Sequence, residues 1–462
     1  MKSINKIMIF ALLVCQFTFC VPAETNKNLF YLVFFFLNQP ITPAAPVETT
    51  PSTLTNSGTK DWIRQLGVAG GSTSATGITS DSSGNVYTTG YTNGSLDGQT
   101  LTTAGFNDLL IVKYDGSGNK QWTRLLGVAS STTMAYAITS DSSGNLYITG
   151  ETYGNLDGQT ITGTSDLFIT KYDGNGTKQW TRLLGVSGNS VNARGITSDS
   201  SGNVYATGSV NDALDGQTKI GPMDLFITKY NSTGTKQWTR QFGVTGRSTN
   251  ATGITNDGSG NLYVTGFTTG ALDGQTLAGT QDAFVVKYDG NGTKQWTRLS
   301  GAASKSSEGR GISSDGSGNV YAIGNTNGAL DGQTLTGIQD LFLVKYSSSG
   351  TKLWTRQLGV ASKVTNGQGI STDSSGNVYA TGYTNGTLDG QNLTGANDLF
   401  IVTYNNIGTK QWTRLLGVAN KNTYGFGITK DGSGNAYASG YTDGGLDGSL
   451  SGTQDLFVVK YK

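Results

Sequence analysis

Oxygen ligands recur in this chain at fixed spacing. Asp81, Asp141, Asp199, Asp257, Asp315, Asp373 and Asp431 each open a D-[SG]-S-G-N run. A second series, Asp97, Asp157, Asp215, Asp273, Asp331, Asp389 and Asp447, sits in Leu-Asp-Gly steps. Alternating Asp, Ser and Asn are oxygen donors of the kind calcium takes, but the runs lack the further carboxylates and the terminal bidentate Glu of an EF-hand loop. An Asp at the head of such a run can instead accept backbone amides while Gly supplies positive φ. The first reading is therefore a structural turn with no cofactor. Calcium is the alternative, with the roomier Leu-Asp-Gly loop as the second place to look. Catalysis is poorly provided for. The chain has no histidine, and its only cysteines are Cys15 and Cys20 near the N-terminus. That removes Ser-His-Asp and Cys-His arrangements and most zinc sites. Among acids without a counterpart in the other units stand Asp61, Glu151, Asp212, Glu308 and Asp443. Glu151 and Glu308 fall in the second and fifth units, nearly opposite in a ring, so a close carboxylate pair for hydrolysis is not expected. The chain reads as a non-enzyme.

The elements that carry these residues follow from a period. Trp62, Trp122, Trp180, Trp238, Trp296, Trp354 and Trp412 are all the tryptophans of the 462-residue chain, spaced 60 residues once and then 58. A repeat of that length with strand-like runs inside it points to a propeller or a solenoid. Within one unit, GITSD and NVYTTGY flank a tight SSGN turn, a long polar loop follows, and DLLIVKY and KQWTRLLG flank a second tight turn. Four strands per unit and seven units give an all-β, seven-bladed propeller over 59–462. The third strand is apolar on both alternating faces, as a blade wedged between two others requires. The first repeat segment is a lone fourth strand, Lys60–Gly67, and the last is a third strand, Asp455–Tyr461. Pairing them completes the seventh blade and closes the ring. In the fourth strands, Lys, Trp and Arg at alternate positions are expected on one side, with Arg stems packed on indole rather than forming a ligand-stacking ladder.

GITSDSSGNVYTTGY followed by DLLIVKYDGSGNKQWTRLLG resembles the seven-bladed β-propeller repeat family SBBP and, more distantly, the NHL repeat, over all of Lys60–Lys462. The resemblance implies extracytoplasmic placement and supplies no catalytic residues.

Function is then sought where the units differ. Between the recurrent Gly-Val and Gly-Ile steps lie eight-residue connections such as AGGSTSAT, ASSTTMAY and ANKNTYGF, on the same rim as the long loops. Loops on a rigid scaffold are where recognition concentrates. Their last position holds Thr76, Tyr136, Arg194, Thr252, Arg310, Gln368 and Phe426. Tyr136, Arg194, Arg310, Gln368 and Phe426, with Glu308 beside Arg310, form the candidate ligand-binding set at the channel mouth. The plainer alternative is drift between duplicated units. The expected partner is an extracellular or envelope protein. A lectin-like binder of calcium or glycan through the recurrent Asp and Asn is the second reading. A net charge of +1 and 14% charged residues imply no nucleic acid, and a monomer is expected.

Residues 1–20 read as an export leader, with Lys2 and Lys6 before the apolar run Ile7–Val14. Cys20 ends a loose lipobox and is the candidate lipidation site; cleavage near Ala23 or an uncleaved anchor are the alternatives. Residues 21–58 hold a short apolar run, Leu29–Leu37, and a Pro/Thr-rich tether. The run is expected at a membrane interface, or else as an added strand or a segment packed on the ring. Together with the repeats, the leader resembles a spirochaete-type exported lipoprotein, held on an outer membrane or cell surface, with a periplasmic face or secretion as the alternatives.

Overall fold

Seven antiparallel four-stranded sheets account for all twenty-eight strands of the computed structural model. It describes residues 51, 52, 54 and 57–462. The leader, Cys20 and the run Leu29–Leu37 lie outside the described residues. Among the described residues no helix is long and apolar enough to cross a membrane.

Blade 1 shows the pattern: an inner strand Thr73–Ser80, then Val86–Thr92, Asp108–Tyr114 and an outer strand Lys120–Leu126, hydrogen-bonded in that order. Its first hairpin is set by Asp81. One carboxylate oxygen accepts the amides of Ser83 and Asn85, each at 2.9 Å. The other accepts the Asn85 side chain at 2.8 Å and the Tyr87 hydroxyl at 2.9 Å. Burial works against this carboxylate, yet its donors hold it below the usual carboxyl value. The bonds to the two amides and to the Asn side chain recur in all seven blades. The recurrent Asp is a turn clamp.

The third strand is buried on both faces. Leu109 and Ile111 pack with Leu146 and Ile148 of blade 2, while Leu110 and Val112 pack with Leu456 and Val458 of blade 7. Each such side chain contributes about 1.5–3 kcal/mol through burial, so the blades are held by apolar contact with their neighbours. At the outer strand the guanidinium of Arg124 lies 5.2 Å from the Trp122 ring and its Nε donates to the Gly176 carbonyl of blade 2 at 2.8 Å. Arg on indole is thus packing between blades.

Lysine does not share that side. Register shifts where Lys113 faces Trp122 and Tyr114 faces Lys120, so Gln121 is a bulge and Lys120 turns to the opposite face. There Lys120 and Thr123 both donate to Asp97. The Leu-Asp-Gly step, with Asp97 at φ 52 and Gly98 at φ 75, therefore folds back onto its own outer strand. The same Asp–Lys pair forms in blades 2 to 6, for example Lys352–Asp331 at 2.7 Å. Strict alternation failed here because one extra residue reverses facing.

The ring closes as expected. Lys60–Leu66 pairs antiparallel with Asp455–Tyr461, with Ile63 opposite Val459 and Leu66 opposite Leu456. Thr59 and Lys462 exchange two backbone hydrogen bonds of 2.8 Å. Gly58 takes the place of a hairpin glycine: φ is 70, and its carbonyl accepts Arg414 Nε at 2.8 Å, as the Gly118 carbonyl accepts Arg64 Nε at 2.7 Å. At the far end of the channel, inner strands are linked blade to blade by side chains on neighbouring carbonyls. Ser80 bonds Lys430 O at 2.7 Å, Ser140 bonds Ser80 O at 3.0 Å, and Ser314 bonds Asn256 O at 2.6 Å. Ser198, Asn256 and Thr372 continue the belt. Lys430 occupies the seventh position.

Candidate functional site

Every inner strand carries a bulge at one place. Register jumps between Ala75 and Gly77, Ala135 and Ala137, Ala193 and Gly195, and likewise at Thr252, Arg310, Gln368 and Phe426. The extra residue is in each case the variable one. A bulge re-aims its side chain away from the sheet's alternation, and here all seven line a cavity of about 720 Å³ at one mouth of the channel. The expected residues Tyr136, Arg194, Glu308, Arg310, Gln368 and Phe426 are thus brought together. Thr76 and Thr252 are tied into the scaffold, donating to the carbonyls of Ala135 at 2.9 Å and Gly309 at 2.8 Å.

The arginines are already engaged. Arg194 Nη1 donates to Glu151 Oε1 of blade 2 at 2.9 Å and to its own strand at Ala193 O at 3.1 Å. Its guanidinium also lies 4.4 Å from the Tyr136 ring. The Tyr153 hydroxyl donates to the second Glu151 oxygen at 3.3 Å. Burial pushes the Glu151 carboxyl above its ordinary value, against the pull of Arg194. Burial, followed by the Glu151 charge, pushes Tyr136 up to about 12. In blade 5, Arg310 Nη2 donates to Glu308 at 2.8 Å, while the buried Arg310 Nε has no protein partner. The two unique glutamates therefore each serve an arginine of their own. Among the described residues, no three acidic, His or Cys groups gather as a metal site.

The sequence reading missed a second variable ring. The residue between Gly and Thr in the second strand is Tyr91, Glu151, Phe267, Asn325, Tyr383 or Tyr441, with Ser209 in blade 3. Each lies directly across from the residue two before the bulge, as Tyr441 does from Tyr424. Blades 6 and 7 thereby gain an aromatic cluster. Tyr383 and Tyr424 are 4.6 Å apart at 86°, Tyr424 and Tyr441 5.1 Å, and Phe426 and Tyr441 5.7 Å. The signal available was variation at the residue that follows the recurrent Gly of the second strand. The mouth is asymmetric: ion pairs on blades 2, 3 and 5, and a cluster of touching aromatic rings on blades 6 and 7.

Comparison with known proteins agrees with this architecture. The model of the SBBP beta-propeller repeat matches residues 61–97, 121–157, 179–212, 237–272, 295–330, 353–388 and 411–447. The uncharacterized WD repeat-containing protein L264 of Acanthamoeba polyphaga mimivirus is 26% identical, over 62% of this chain and 27% of that protein. The regulatory protein FlaEY of Caulobacter vibrioides is 25% identical, over 44% of this chain and 24% of that protein. The chain thus matches only about a quarter of the length of either relative. The solved structure of virginiamycin B lyase from Staphylococcus aureus is 13% identical, covering 87% of this chain and 99% of that one, with a TM-score of 0.48.

Proposed function

The chain belongs to the SBBP beta-propeller repeat family, and from that premise we propose that it is a non-enzymatic binding or scaffolding module outside the cytoplasm. In this reading a protein partner docks on the loop-rich rim and reaches into the channel mouth. One observation carries it: seven bulges direct the residues that differ between blades into a single cavity. Repetition elsewhere on the ring serves packing and turns. The absence of histidine and the commitment of Glu151 and Glu308 to arginines support a role without catalysis. The leader motif ending at Cys20 supports export and tethering to an outer membrane or cell surface by an acyl chain.

The test is affinity capture from an envelope extract with the full chain, comparing wild type with Tyr136→Ala combined with Phe426→Ala. Both side chains are large mouth groups whose loss removes contact area. A partner retained by wild type and lost by the variant supports the reading. Equal capture by both, or release by a calcium chelator alone, overturns it.

A further inference from the structure

The cations of this ring are nearly all spent on its own structure. In blades 1 to 6 the lysine that opens the outer strand pairs with the Leu-Asp-Gly carboxylate. Third-strand lysines such as Lys113 and Lys171 donate to carbonyls of the next blade at 3.0 and 3.2 Å, and the outer-strand arginines lie on indoles. Besides Lys60 of blade 7 and Lys219 of blade 3, four exposed cations are exceptions: Arg247, Lys305, Lys363 and Lys421. They occupy one equivalent position, the third residue of the connection into the inner strand, in blades 4, 5, 6 and 7. Blades 1 to 3 hold Gly71, Ser131 and Asn189 there. Among the described residues, none of these four side chains makes an ion pair or a hydrogen bond. They form a crescent over four consecutive blades, on the rim that bears the cavity. Lys219, exposed on the neighbouring loop of blade 3, extends it.

We propose that this crescent binds an acidic peptide segment of the partner. The inference rests on the reading that this rim is the docking face, and it names the chemistry the partner brings. Three of the four cations are lysines, point charges on flexible stems that respond to charge density rather than to a planar, bidentate group. Like charges gathered on one rim raise the local potential and speed capture of an opposite charge. Beside the crescent, Phe426 and Tyr441 line the cavity and supply the aromatic anchor typical of an interface centre. An anionic glycan fits less well. Tyr424 meets Tyr383 edge-on at 86° and Tyr441 at 51°, so the cluster offers no flat run of ring faces for sugars to stack on. The glutamates of the mouth, Glu151 and Glu308, are paired with Arg194 and Arg310, while Asp443 accepts from Asn422, the neighbour of Lys421.

The probe is a fluorescein-labelled decaglutamate peptide, with decaglutamine and polygalacturonate as comparisons, read by anisotropy on the full chain. Decaglutamate is expected to bind, decaglutamine not, and affinity should fall at least about tenfold from roughly 20 to 200 mM salt as screening shortens. Lys305→Glu with Lys363→Glu should weaken binding at least about tenfold. Lys430→Glu, at the opposite mouth, should leave it within about twofold. Absence of decaglutamate binding, equal losses in both variants, or tighter binding of polygalacturonate than of the peptide overturns the proposal. Because the peptide assay needs no captured partner, such a result leaves the docking-face reading to its own test.

Discussion

Removing Arg194 should expose how the mouth is electrically balanced. Its partner Glu151 is only 4% exposed in its side chain, whereas Arg194 is 40% exposed. Breaking a fully buried pair costs about 3–5 kcal/mol and an exposed one about 0–1. With one end buried and the other in water, Arg194→Ala should cost about 2 kcal/mol. Loss of the guanidinium over Tyr136 adds about 0.5–1 kcal/mol. The pH dependence gives the stricter check. The folded-state pKa of Glu151 is already raised by burial and is opposed only by Arg194 and its hydrogen bonds. Without the arginine it rises further. A carboxyl with a raised folded pKa binds a proton more readily folded than unfolded, so its contribution to stability grows as pH falls towards the ordinary value of 4.5. The penalty in Arg194→Ala should therefore be full near neutral pH and shrink to less than about half near that value. Adding Glu151→Gln should restore most of it at neutral pH. Urea unfolding of wild type, both single variants and the double variant at the two pH values decides the matter. A penalty independent of pH, or a double variant as unstable as Arg194→Ala, would refute the argument.

Other consequences concern the scaffold and its tether. Gly234 has φ 78 and would bring a Cβ within 2.9 Å of Trp180, while Gly98, at φ 75, has open space around it. Gly234→Ala should therefore cost about 1–2 kcal/mol more than Gly98→Ala in denaturant melts, the excess reporting the indole contact. Lys430→Ser should add the missing link to the belt between inner strands and stabilise the ring by about 0.5–1.5 kcal/mol, seen as a higher urea midpoint; an unchanged midpoint would mean that blade 7 does not take the geometry of the others. Cys20→Ser should abolish incorporation of a fatty-acid probe in cells while Cys15→Ser retains it, and label persisting in Cys20→Ser would place the anchor elsewhere.

Much of this fold was legible because its determinants are local and repeated. The Asp81 clamp lies within a seven-residue stretch, and the phase of Lys60–Gly67 against Asp455–Tyr461 announces closure before any contact is known. Two features were hidden for the same reason. Alternation assigns faces only while the register is unbroken, and bulges at Gln121 and at Thr76 each reverse it. Lys120 was thereby assigned to the wrong side. The bulge at Thr76 and its counterparts, which place the variable residues in the channel, carry no distinctive residue type. Glu151 stood out as an acid without counterparts, but its pairing with Arg194 joins residues 43 apart across a blade boundary. Spacing within a unit carries no information about that contact.

The central claim is that recognition belongs to the mouth with the variable bulges and not to the rim of repeated turns. Photo-crosslinking distinguishes them directly. A benzophenone side chain is introduced at Gln368, which lines the cavity, or at Ser317, in an Asp-clamped turn at the other end of the blade, and the full chain is irradiated with envelope extract. The account predicts one protein crosslinked from Gln368 and none from Ser317. The same protein crosslinked from Ser317 alone, or equally from both, would contradict it.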